Sequence, residues 1–228
     1  MIVDDRYLRA AFDPSATFQR KLEDFLVRRA LQERPALVIQ AKPGESSLNI
    51  DARSNDLCQV LANGSGCNSD NHWWGGFVQS TARPRPSFEG IELVSSVQDP
   101  VWASELHTDG HLIAGTWRFP EERDEKGVNR LLLPFFYTRI FSDFASIVGK
   151  LQERLLEPSD FEITATLWRA TELAFGMEDR FAHKLTARSA TRLPLLQWRG
   201  RRAENKGELD LVAAAMAADM LGAYGVTP

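Results

Sequence analysis

The run Glu105-Leu-His-Thr-Asp-Gly-His-Leu-Ile-Ala-Gly-Thr-Trp-Arg-Phe119 decides how the rest of the chain is read. Asp109 and Gly110 are residues that a type I′ turn favours at its two positive-φ positions, and apolar or β-branched residues flank them on both sides. A β-hairpin is expected there, with Phe88, Ile91, Leu93 and Val97 opening the same β unit. In a two-residue loop Thr108 pairs with His111 and His107 with Leu112, so the two imidazoles are expected on opposite sides of the ribbon. Glu105 shares a side with His107, which makes a two-ligand fragment at most, and no metal site is expected.

Working outward, residues 17 to 34 carry Phe18, Leu22, Phe25, Leu26 and Ala30 at helical spacing, with Ser15 or Thr17 as cap and Pro35 as terminator. Ala36 to Ala41 is a short apolar run closed by Pro43-Gly44, which reads as a strand. A helical turn is expected from Asn55 to Leu61, and a turn over Asn63 to Asn71 feeding a strand led by Trp73 and Trp74. Phe119 to Gly127 reads as a charged connection. Pro134 suits the first turn of a long helix reaching about residue 156, with Ile140, Phe144, Ile147, Val148, Leu151 and Leu155 on one stripe. Phe161, Ile163, Ala165 and Leu167 alternate with polar neighbours as in a half-buried strand. Residues 208 to 224 form a last helix, with Leu209, Val212, Met216, Met220 and Tyr224 inward.

These elements describe one α+β domain, a mainly antiparallel sheet packed against three principal helices. Its parts are a helical segment over 1–34, a sheet-containing core over 35–206 and a C-terminal helix over 207–228. A chain of 228 residues, 43% hydrophobic, can bury roughly 70% of its unfolded surface in one core. The net charge of −4 implies no wholesale attraction to nucleic acid or anionic membrane. The average conceals an asymmetry, because Arg180 to Gly207 carries eight basic residues against Glu204 alone. Cys58 and Cys67 are the only cysteines, too few to staple the chain, and there is no secretory leader or long apolar run. A reduced, cytoplasmic setting without membrane contact is expected.

Three chemical readings compete. The first is recognition through Trp198-Arg-Gly-Arg-Arg202, read as a glycine-containing loop where Trp198, Arg199, Arg201 and Arg202 could grip phosphates and stack on a base. An exposed indole at Trp73 or Trp74 would add a contact. The second is a metal-assisted phosphodiester hydrolase using Asp99, Glu105, Asp124 and Lys126. The letters match strand-borne carboxylates beside a lysine, but Asp124-Glu125-Lys126 falls in a solvated stretch rather than an apolar strand. The third is a module that docks on a protein partner or an adjoining domain without chemistry of its own. No nucleotide fingerprint or nucleophile elbow is present, and no cofactor is expected.

Arg9-Ala-Ala-Phe12, Phe25-Leu-Val-Arg-Arg29, Leu37-Val-Ile-Gln-Ala-Lys-Pro43, Phe88-Glu-Gly-Ile91, Thr108-Asp-Gly-His-Leu-Ile-Ala114 and Ile163-Thr-Ala-Thr-Leu167 together resemble a bacterial protein region. It is the region that follows the Schlafen AlbA-type DNA-binding domain. The resemblance covers most of the chain and implies an accessory C-terminal half of a larger nucleic-acid-binding protein. The acidic-lysine signature of the Schlafen AlbA-type domain has no counterpart here, so the resemblance carries over no catalytic residue. The leading expectation is a non-catalytic sensing or protein-interaction module.

Overall fold

The structure is a computed structural model and describes residues 14–44, 51, 54–62, 83–87, 89–96, 98–124, 127–155, 159–179 and 184–225. Trp73, Trp74, Phe88, Val97, Lys126 and Cys67 lie outside the described residues. Two compact units are present, one through Arg34 and one from Pro35 onward.

The first unit holds helix α1, Pro14–Arg28, with Phe18, Leu22, Phe25 and Leu26 as its buried stripe. It ends about six residues short of the expected boundary, and the cause is local. Ala30 sits at φ 52°, its N–H donates to the Val27 carbonyl at 3.0 Å, and Leu31 N–H donates to Leu26 O at 2.8 Å. That is a Schellman ending, closed by the apolar pair Leu26 and Leu31. Alanine does not advertise a left-handed residue, whereas glycine would have marked the stop. Ala30→Gly is therefore expected to raise stability by about 1 kcal/mol, because it removes the Cβ penalty at this φ. A fall in the urea midpoint would contradict it.

The second unit contains two sheets. In chain order its elements are β1 (Ala36–Pro43), α2 (Asn55–Ala62), β2 (Arg85–Pro86), β3 (Gly90–Val94), β4 (Trp102–His107), β5 (Leu112–Thr116), β6 (Glu121–Asp124) and β7 (Gly127–Leu132). They continue with α3 (Pro134–Gln152), β8 (Phe161–Trp168), β9 (Leu173–Asp179), β10 (Lys184–Ala190), β11 (Leu195–Ala203) and α4 (Lys206–Ala223). The large sheet has the order β11-β8-β1-β5-β4-β3-β2 and is antiparallel throughout; the small one runs β10-β9-β7-β6, with β7 and β9 parallel. The class is α+β with mostly antiparallel pairing, as expected. The stretch read as a charged connection is instead the β6–β7 hairpin, whose cross-strand pair Glu121 and Arg130 lies at 3.8 Å.

One face of the large sheet is apolar. Leu37, Ile39 and Ala41 on β1, Ile163, Ala165 and Leu167 on β8, and Leu106, Leu112 and Ala114 on the hairpin share a core with α2, α3 and α4. Leu131, Leu132, Leu173 and Phe175 of the small sheet join the same core. Asn205 starts α4 by accepting a hydrogen bond from Glu208 N–H at 3.1 Å, while Glu208 accepts from Glu204 N–H at 2.7 Å. This reciprocal cap places the helix start two residues earlier than expected. Strand β8 is also not half-buried, because its alternate residues Thr164 and Thr166 are buried too. Over β1, β4, β5 and the middle of β8 the face opposite the helices is thus also buried, with Gln40, Glu105, Thr164 and Thr166 among apolar neighbours such as Val38, Ala103 and Ile113.

Candidate functional site

The polar residues of that face are organised by the hairpin turn. A type I′ turn needs positive φ at both central residues, but only Gly110 has it, at 83°. The loop is therefore three residues long, Thr108 to Gly110, closed by Gly110 N–H donating to His107 O at 3.0 Å and His107 N–H to His111 O at 2.9 Å. Asp109 Oδ1 accepts from His111 N–H at 3.0 Å, an Asx contact that holds the turn. The register is Leu106 opposite Leu112, which sets His107 opposite His111. The expectation that the imidazoles project to opposite sides is corrected: one extra loop residue brings both to one face, with ring centroids 6.0 Å apart.

Strands β1 and β4, His111 at the end of the hairpin loop and the turn before β3 supply the cluster. His107 Nδ1 lies 2.8 Å from Glu89 Oε2, and its Nε2 lies 3.1 Å from Glu105 Oε2. His111 Nε2 donates to Gln40 Oε1 at 3.0 Å, since an amide oxygen only accepts. Gln40 lies directly across β1 and β8 from Thr164. All but Glu89 are buried, His107 to 1% exposure. Gly90 permits the close approach of β3, for a Cβ there would meet Leu106 O at 2.1 Å. Glu89 lies just before β3, outside its alternation; Thr108 N–H donates to its carbonyl at 2.8 Å, and its side chain reaches the His107 ring from there.

A ring nitrogen facing a carboxylate needs a hydrogen between them. His107 faces two, one at each ring nitrogen. Both of its nitrogens are thereby occupied. Among the described residues no group of three or more His, Cys, Asp or Glu side chains is arranged to hold a metal.

The hydrolase residues are dispersed. Asp99 lies in the β3–β4 turn, where its N–H donates to Ser96 Oγ at 3.4 Å. Glu105 belongs to the buried cluster, and Asp124 ends β6 in the other sheet.

Trp198, Arg199, Arg201 and Arg202 are not in a loop. They belong to β11, the terminal strand of the large sheet, which pairs with β8 and carries a bulge between Trp198 and Arg201. The bulge shifts the alternation so that Trp198, opposite Ala165, and Arg201, opposite Ile163, face the helices together. Trp198 packs on the core and Arg201 Nη2 binds Asp219 Oδ2 of α4 at 2.5 Å. Arg202, opposite Glu162, points to the other face with Asp160 at 3.8 Å and 72% of its side chain exposed. The supposed grip is thus divided between two faces of one edge strand.

Elsewhere, Asp143 on α3 is buried and carries a carboxyl pushed up to about 6 by desolvation, with Arg139 at 3.8 Å pulling partly the other way. No helix among the described residues is long and apolar enough to cross a membrane. No family model, curated protein or solved structure matches the chain.

Proposed function

We propose that this chain is a non-catalytic protein-interaction module accessory to a nucleic-acid-binding protein. The observation that carries it is the open basic edge at β11, a strand with a neighbour on one side alone among the described residues. Terminal strands of this kind are surfaces on which another chain can pair. Two further observations support the non-catalytic half: Asp99, Glu105 and Asp124 are spread over a turn and two different sheets, and both nitrogens of His107 are engaged by carboxylates. The link to an adjoining Schlafen AlbA-type domain rests on the sequence resemblance.

The test is incubation of the purified chain with single- and double-stranded DNA and RNA in Mg²⁺, Mn²⁺ or Zn²⁺. No turnover is expected. Cleavage that disappears in Asp124→Ala or His107→Ala would overturn the proposal and restore the hydrolase reading.

A further inference from the structure

We infer that the β11 edge receives an extended acidic polypeptide, which adds to the large sheet as a further strand; this rests on the interaction-module reading and names the partner's class. Arg192, Arg199, Arg201, Arg202 and Lys206 lie in or beside β11 against Glu204 within the segment. Asp219 and Asp160 meet two of these cations and Glu162 lies across the ladder from Arg202, which leaves a small positive surplus along the edge. Leu193 and Leu195 are exposed at its start, 58% and 39%, and offer an apolar foothold beside the charges.

The placement of the arginines discriminates between partners. A single-stranded nucleic acid binds one surface, stacking bases on aromatics while cations on the same side hold phosphates. Here Trp198 and Arg201 face the helices and Arg202 faces away, so no single surface carries the set. An added strand sends successive side chains to alternate faces, and acidic residues on it would meet Arg201 on one side and Arg202 on the other. A second copy of the chain is disfavoured, because antiparallel pairing of β11 with itself about the bulge sets arginine against arginine. The bulge limits promiscuous pairing, as charged and irregular edges do in sheet proteins generally.

The probe is a capped peptide of about eight residues in which pairs of glutamates alternate with pairs of valines, so that both faces of the added strand carry carboxylates, and it is long enough to span most of β11. It is compared with its lysine counterpart, with a version interrupted by prolines that removes the backbone donors, and with oligothymidylate. Expected are binding of the glutamate peptide that weakens with salt, slowed amide exchange along residues 195–203, and no binding of the other three. Arg202→Glu, at an exposed position, should weaken the glutamate peptide about tenfold. Equal binding of the lysine peptide, oligothymidylate binding in place of peptide, or protection elsewhere in the chain overturns the inference. So does absence of peptide binding, and with no nucleolytic turnover that result leaves the interaction-module reading standing. Metal-dependent cleavage removes that reading itself.

Discussion

Replacing His107 by leucine lowers the unfolding free energy by about 1–3 kcal/mol, the usual cost of leaving a buried polar group without its hydrogen-bond partner. The imidazole stands between Glu105 and Glu89. Of the two, Glu105 has 3% of its side chain exposed and cannot turn to water, whereas Glu89 has 24% and can. The loss therefore arises mainly at Glu105. Adding Glu105→Gln to His107→Leu should recover part of it, with a coupling of about 0.5–3 kcal/mol in a double-mutant cycle. Urea denaturation of the four proteins measures both quantities. A single-mutant loss under about 1 kcal/mol would mean that the pair is not buried as described.

Asp143→Asn is expected to stabilise the protein at pH 8 by about 3 kcal/mol and to do almost nothing at pH 3.5. The folded chain raises this carboxyl from its ordinary 3.8 to about 6, mainly because burial penalises the charged form. The folded state thus holds the proton more tightly than the unfolded state does. Stability contributed by the neutral form is present below pH about 4, falls as pH rises towards 6, and is fully lost above that. Asparagine stays neutral, so the variant lacks this part of the pH dependence. The attraction to Arg139, whose buried Nε lies 3.8 Å from the carboxylate, already enters the raised value and needs no separate deduction. Thermal unfolding across pH 3.5 to 8 would show the two curves diverging through the window; parallel curves would contradict the raised pKa.

Both effects arise at buried polar groups, and these were the least legible feature of the sequence. Strand β1 announced itself through Ala36 to Ala41 and a Pro-Gly stop, and α3 through Pro134 and its apolar stripe. Their cores are apolar runs with one period each. The hairpin was visible at Asp109-Gly110, but its loop length was not, because whether Asp109 takes positive φ depends on the strands it joins. That single residue of register separates two histidines on opposite faces from two that lie side by side on one face. Gln40 could not be assigned to His111 at all, for it stands in an otherwise apolar strand. Strands β9, β10 and β11 escaped notice for a related reason. In Leu195 to Ala203 the glycine and three arginines suggest a loop, while the bulge spoils the two-residue alternation that would have revealed an edge strand.

The parallel pairing of β7 with β9 bears on how the chain assembles. Arg130 meets Leu173 only after α3 and β8 have been laid down between them, and β8 inserts between β1 and β11 of the other sheet. The small sheet therefore has no independent nucleus large enough to form first: its closing contact waits on a crossover through its neighbour, a slow non-local step. A fragment ending before residue 160 would leave β1 beside an empty place and β7 without its parallel mate, so synthesis must pass that point before the unit from Pro35 onward can collapse cooperatively.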